Sequence, residues 1–278
     1  MTLTDSYQYA NNLIARFPED LFAAENHTEY LRRVSSGASV ASTKNVIITG
    51  LCRNIINVLD HTVARLRATA KLFNDHRILI YENDSTDGTS QALKKHFEND
   101  TKTTLAQETT GVPMFGKTRE LDRPRYLAGL RNISFEGIRL LNKFFPVDYI
   151  IVVDLDLDGG WSYDGICHSF SYDNWSAMTA NGMEYVDATY VSSNGVEFSE
   201  YKPLFYDTWA WRDIKTDMAN IPDSAEVNEF NFSRGDEIIE VNSNFNGLGI
   251  YKYEEAIDCK FDAVMNDDGS VVNEWAYF

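Results

Sequence analysis

The sequence predicts an α/β fold: a central, mostly parallel β-sheet flanked by helices. Three observations carry that expectation. Short apolar runs alternate with segments of helical periodicity through the first 155 residues, in the order strand, helix, strand, helix, helix, strand, which is the signature of parallel βαβ units. Polar turns follow the apolar runs, where an α/β sheet gathers its ligand contacts. The chain has 278 residues, 44% of them hydrophobic, enough for one substantial core.

Taken in order, residues 1–44 read as a helical extension that closes in a small-residue stretch, SSGASVAS, expected to be a loop or hinge. NVIITG is the first buried strand. The helix after it repeats Ile55, Leu59, Val63, Leu66 and Ala70 at helical spacing. RILIY, Arg77 to Tyr81, is the second strand, closed by the turn ENDSTDGT and a helix around SQALKKHF. A loop-like region rich in Gly, Pro and Thr leads to a long helix, RPRYLAGLRNISFEGIRLLNKFF, with Pro124 in its first turn and Leu127, Leu130, Ile133, Ile138, Leu141 and Phe145 as its apolar stripe. DYIIVVDLDLDGGW is the next strand, and WSAMTA and GLGIYKY are strands of the less regular remainder. No internal repeat or low-complexity linker divides the chain, so residues 45–278 read as one domain, with 45–160 and 161–278 as its two halves.

Charge and cysteine content narrow the function. A formal net charge of −17, from 42 acidic and 25 basic residues, argues against nucleic acid as a main partner, because polyanions are bound by basic faces. Cys52, Cys167 and Cys259 are widely spaced and odd in number, which suggests neither a disulfide framework nor a zinc site. No basic n-region precedes an apolar run, and no window reaches the roughly 18 apolar residues of a membrane span. A cytoplasmic protein with no transmembrane segment is the expectation. N-x-S/T triplets at Asn83 and Asn132 read as chance matches.

The chemistry concentrates at Asp154, Asp156 and Asp158. On a strand, alternate residues share a face, so three carboxylates would crowd together until Gly159 and Gly160 break the pleat. Their mutual repulsion is relieved by a divalent cation, and carboxylate oxygens with open positions suit Mg²⁺ or Mn²⁺. A solvated acidic turn is the alternative. An EF-hand loop is ruled against by Gly165, which stands where the bidentate Glu belongs, and a phosphatase-type D-x-D by the strands that come before it. In the turn after the second strand, Glu82 and Asp84 are candidate acceptors for a base or ribose, while Asp87, Gly88 and Thr89 form a tight turn and helix start.

NVIITGLCRN, ENDSTDGT, LAGLRN and VVDLDLD occur in this order over about residues 45–160. The set resembles the GT-A fold glycosyltransferases, the family-2-like group in particular, with Glu82 and Asn83 in place of the two leading aspartates of the usual turn. RPRYLAGLRN and FNGLGIYK are similar to stretches of fungal capsule-associated mannosyltransferases and related bacterial and viral enzymes. The resemblance implies a Rossmann-like nucleotide-diphospho-sugar transferase fold, a UDP- or GDP-linked sugar donor and a glycan acceptor. It also implies that Thr49 and Gly50 line the nucleotide pocket, that Glu82 contacts the base, that Arg131 sits near the diphosphate, and that Asp154 and Asp156 bridge ribose and metal. Such enzymes commonly add a late metal ligand, often histidine. The last histidine here is His168, so that role is vacant or passes to Glu274 or another C-terminal acid.

Sugar transfer builds negative charge on the departing phosphate, which a metal and a guanidinium stabilise. Lys117, Arg119, Arg123 and Arg125 form a basic run expected to be a mobile, solvated loop. For the acceptor's base, Asp207 in LFYDTWAWRD is preferred over Asp213, Asp236 and Glu237, because Tyr206, Trp209 and Trp211 flank it as candidate sugar-stacking rings, with core packing, the more common role of aromatics in such a run, as the alternative. Gly247 and Gly249 are expected to permit close approach of a sugar or backbone. The competing readings are a sugar-nucleotide hydrolase or nucleotidyltransferase with the same pocket, and a non-catalytic glycan-binding module whose aspartates hold calcium.

Overall fold

The computed structural model describes residues 24–116, 118–191, 197–221, 223, 226–227, 230, 232–276 and 278. In chain order the elements are α1 (His27–Ala41), β1 (Asn45–Cys52), α2 (Leu59–Ala70), β2 (Asp75–Asn83), α3 (Thr89–Phe97), β3 (Thr103–Glu108), α4 (Asp122–Asn142) and β4 (Tyr149–Val153). They continue with α5 (Tyr163–Ser169), β5 (Ala177–Thr179), β6 (Met183–Val191), β7 (Glu197–Phe205), β8 (Arg212–Asp213), β9 (Val241–Ser243), β10 (Leu248–Lys252), α6 (Tyr253–Ala256), β11 (Val264–Met265) and β12 (Val271–Val272). Six strands form the main sheet in the order β3-β2-β1-β4-β10-β5. The pairs among the first four are parallel, and β10 runs antiparallel to both β4 and β5. This is the mixed α/β sheet that the βαβ pattern predicts.

Side-chain alternation along the strands splits the core into two layers. Val46, Ile48, Ile78, Ile80 and Ile151 pack with α2 and α3 on one face of the sheet. Ile47, Leu79, Ile150 and Val152 pack with Phe135 and Ile138 of α4, and with Phe245, Phe261 and Trp275 from the C-terminal half, on the other.

Three expectations need correction. The SSGASVAS stretch is not a hinge but the C-terminal half of α1, and its small residues let two helices touch. A Cβ on Gly37 would lie 1.8 Å from the Cys167 carbonyl oxygen in α5. Gly37→Val must therefore push the helices apart, an expected loss of about 1–3 kcal/mol, read as a lower melting temperature. The region after α3 contains β3, whose edge position buries too little of Thr-Thr-Leu-Ala-Gln-Glu to leave an apolar signature. In α4 the buried face carries Pro124, Ala128, Arg131, Phe135 and Ile138, and Ile133, on the opposite side, is 48% exposed. Leu130, Ile138 and Phe145 of the expected stripe are buried; Ile133 departs from it, and Arg131 takes a place on the buried face that an apolar stripe leaves out. The predicted strands in WSAMTA and GLGIYKY are β5 and β10, and residues 1–23 lie outside the described residues.

Two hydrogen bonds tie α2 to the chain beyond β4: Thr62 Oγ1 donates to the Leu155 carbonyl (3.0 Å) and Trp161 Nε1 donates to Thr69 Oγ1 (2.8 Å). The turn carrying the aspartates is therefore anchored from below at both ends. Among the described residues, no helix is long and apolar enough to cross a membrane.

Candidate active site

The strand β4 ends at Val153, so the aspartates do not alternate along a pleat. Asp154 is the first residue past the strand, and its N–H donates to the Gly247 carbonyl at the start of β10 (2.9 Å). Leu155 turns into the core at 1% exposure, Leu157 packs beside it, and Asp156 and Asp158 face solvent. Among the described residues, no three His, Cys, Asp or Glu side chains are grouped as a ready-made metal cage.

What the fold assembles instead is a half-buried acid cluster around the buried Arg131. Helix α4 delivers Arg131 from its core face, 7% exposed, with Nη2 3.6 Å from Asp154 Oδ1 and Nε 3.4 Å from Glu274 Oε1. Its guanidinium lies over the Trp275 ring at 4.3 Å, within a cage that includes Phe245 at 5.4 Å and Phe261 at 6.0 Å. Asp207 belongs to the same electrostatic neighbourhood. Burial pushes the Asp154 carboxyl up to about 7, helped by the charges of Asp156, Asp207 and Glu274 and opposed by Arg131. Burial pushes Asp207 up to about 6; Glu274 adds to the shift, whereas the Ala210 N–H, Arg131 and Arg123 oppose it. The cluster holds more negative than positive charge, and Asp156 extends it toward solvent.

The carboxyl ends of β1 and β2 are laced into one lip. Asn54 N–H donates to Ser85 Oγ (3.0 Å), Thr86 N–H to Asn54 Oδ1 (2.8 Å), Ile55 N–H to Thr89 Oγ1 (2.9 Å) and Ile56 N–H to Asp87 Oδ2 (3.0 Å). Within that lip Glu82 is only 3% exposed, and its carboxylate accepts from the Ser85 N–H (3.0 Å) and Gln107 Nε2 (3.3 Å). Asp84, at φ +52°, accepts from Thr110 Oγ1, Asn83 Nδ2 and the Gly111 N–H, which together hold its carboxyl down to about 2. Thr49 and Gly50 lie beneath the lip, both buried. A Cβ on Gly50 would come within 2.4 Å of the Val153 carbonyl oxygen and 2.7 Å of Leu155 Cγ, so the glycine lets β1 pass under the aspartate turn.

The basic run matches the solvated loop expected only in part: Arg119 and Arg125 are exposed, but Arg123 and Arg125 belong to α4 and the loop before them is tied to its surroundings. Arg53 Nη1 donates to the Val112 carbonyl (2.9 Å), the Phe115 ring packs on Tyr126 (5.6 Å between centroids), and the Arg119 guanidinium lies 5.6 Å from the Trp209 ring centre. Arg123 is half-buried in the first turn of α4, and Lys117 lies outside the described residues. The segment thus bridges the β3 end and the Asp207 segment.

On that second side, Trp209 and Trp211 are each 8% exposed and serve the core, Trp211 among Phe205, Phe230 and Phe232. Tyr206 is 38% exposed, and burial together with the nearby carboxylates of Asp154, Asp156, Asp207 and Glu184 raises its phenol pKa. It is the ring of the three that faces the site. Asp213 caps its own turn through the Lys215 and Thr216 N–H groups, while Asp236, which accepts from the Ser233 N–H, and Glu237 are exposed. Gly247, at φ +85°, has Leu157 Cδ1 3.1 Å from where its Cβ would stand, and a Cβ on Gly249 would meet the Tyr251 ring. Asn246 was missed in the sequence. Its Oδ1 accepts from the Asp207 N–H (2.6 Å), and the only sequence signal was an Asn-Gly pair of the kind that adopts left-handed backbone.

A family model described as Cryptococcal mannosyltransferase 1 matches residues 45–272. A search of curated proteins finds no match. Among solved structures, the mannosyltransferase PcManGT from Pyrobaculum calidifontis, in complex with GDP-Man and Mn²⁺, aligns at 12% identity and a TM-score of 0.35, over 64% of this chain and 47% of its own. The present chain therefore spans about half of that protein's length, and a likeness so distant does not bear on the assignment. The family match runs through β1, the lip, α4, the aspartate turn and β10, and so takes in Arg131, Asp154 and Asp207 of the cluster; on that match the chain belongs to the Cryptococcal mannosyltransferase 1 family.

Proposed function

We propose that the protein transfers a sugar, mannose in keeping with its family, from a UDP- or GDP-linked donor to a glycan hydroxyl, with Mn²⁺ or Mg²⁺ bound at Asp154 and Asp156. The observation that carries this reading is the convergence of Asp154, Asp207 and Glu274 near Arg131 at the carboxyl edge of the sheet. A surplus of carboxylate with one member directed to solvent fits a hard divalent ion, which takes one or two protein carboxylates and completes its shell with water and phosphate oxygens. Such an ion supplies Lewis-acid stabilisation of the departing diphosphate.

The chain's own residues do the rest. Residues 45–160 hold the donor, with the lip of Glu82 and Asp84 toward base and ribose, and Thr49 and Gly50 supporting it from beneath. Residues 161–278 receive the acceptor, with Tyr206 as its aromatic platform. Arg131 is buried and engaged with two carboxylates, so it orients Asp154 and Glu274 instead of meeting the diphosphate. Asp207, with a carboxyl pushed up to about 6, is ionised at neutral pH and basic enough to take the proton of an acceptor hydroxyl. Gly247 fixes Asp154 through its carbonyl, and Asp158 stands at the outer rim of the turn as a further acid for the cation.

A panel of UDP- and GDP-sugars with a glycan acceptor tests this reading directly. Asp156→Asn is expected to lower metal-dependent transfer by on the order of 10²-fold or more while leaving the melting temperature close to that of the parent, because Asp156 is exposed. Undiminished turnover in that variant would count against the assignment.

A further inference from the structure

We infer that Asn246 is a positioning residue that sets Asp207 relative to Asp154, an inference that rests on the donor and base roles proposed above. Asn246 is 3% exposed and sits at φ +51°, immediately before Gly247 at φ +85°. The two consecutive left-handed residues turn their polar groups toward two different chain segments. The Asn246 side-chain oxygen accepts the Asp207 N–H at 2.6 Å, and the Gly247 carbonyl accepts the Asp154 N–H at 2.9 Å. A single dipeptide thereby holds the backbone of both acids.

The dipeptide is itself fixed from behind. Asn246 Nδ2 donates to Asn244 Oδ1 (3.1 Å), and Asn244 Nδ2 donates to Thr179 Oγ1 (2.9 Å) and to the Ala180 carbonyl (3.0 Å). These bonds anchor the relay to β5, at the edge of the main sheet. Close packing leaves it little slack, since a Cβ on Gly182 would lie 2.5 Å from the Asn246 carbonyl oxygen. The chain of contacts runs from the short edge strand β5, through two amides, to the backbone of Asp207. Asn246 touches no reacting atom in this scheme; it acts through the acid it places.

Two substitutions separate its side chain from its backbone. Asn246→Gly keeps the left-handed conformation, and with it the Gly247 carbonyl under Asp154, but removes the acceptor of the Asp207 N–H. Asn246→Ala removes that acceptor and also strains the backbone. Expected for the glycine variant is a fall in kcat of about 10²-fold, the scale of a small misplacement of a reacting group, with unchanged calorimetric affinity for GDP or UDP in the presence of Mn²⁺. The alanine variant is expected to lose nucleotide affinity and melting temperature in addition. Parental kcat in the glycine variant would overturn the inference, as would equal losses of nucleotide affinity in both variants, which would make the residue merely structural. Failure of the unmodified protein to bind either nucleoside diphosphate would overturn the donor reading and this inference with it, and that outcome is recognisable because no variant is involved.

Discussion

Asp154→Asn is expected to give a protein that melts higher than the parent and transfers no sugar. The carboxyl of Asp154 is pushed from 3.8 up to about 7 in the fold, and its side chain is 22% exposed. At neutral pH, keeping it ionised therefore works against folding by a few kcal/mol, at about 1.4 kcal/mol for each pKa unit. The amide removes that opposition and keeps the shape, while Arg131 retains Glu274 at 3.4 Å. The sign with pH follows from a folded pKa that lies above the unfolded one. The penalty is fully present above about 7, declines as pH falls, and is gone below 3.8, where both states carry the proton. Scanning calorimetry without added metal should accordingly show the largest gain, several degrees, at pH 7.5 or above and almost none near pH 4. A residue placed for stability would instead lose melting temperature when its charge is removed.

Removal of the cation acts in the opposite direction and more strongly. Arg131→Met deprives Asp154 and Glu274 of their guanidinium and strips the positive charge from the neighbourhood of Asp207. Breaking a buried pair on one side costs about 3–5 kcal/mol because a charge is left without compensation. In a chain of this size that corresponds to a fall of roughly 10 °C in melting temperature. Glu274→Gln added to Arg131→Met is expected to recover part of the loss, since it removes one of the stranded charges. Lowering the pH should also narrow the gap between parent and variant, because Asp154 and Asp207 accept protons as pH falls through about 7 and 6. Equal melting curves for parent and Arg131→Met would show that the cluster is not held together by its charge.

How much of this was legible in the sequence depended on whether the determining contacts were local. The βαβ core was readable because apolar periodicity is a local property, and β1, β2, β4 and the helices between them lie close to where it put them. β3 was not, because an edge strand buries little and reads as a loop. The aspartates drew attention because they are neighbours in sequence, yet their geometry was misread: β4 stops one residue before Asp154, so the set divides into a half-buried Asp154 and two exposed members. Arg131 and Glu274 stand 143 residues apart, and nothing in either segment alone announces the pair. Trp209 and Trp211 had the composition of a sugar platform, but tertiary packing turned both into core and left Tyr206 at the opening. The Asn246 clamp is non-local as well, since its two partners come from chain segments on opposite sides of the α5-to-β7 region.

Sugar transfer as proposed requires a divalent cation at the outer end of the acid cluster. A manganese-edge anomalous difference map from crystals grown with Mn²⁺ and GDP tests it most directly. The result expected is a peak within coordination distance of carboxylate oxygens of Asp154 or Asp156, shared with the diphosphate. Bound nucleotide with no peak at those aspartates, or a peak at a different set of side chains, would contradict it.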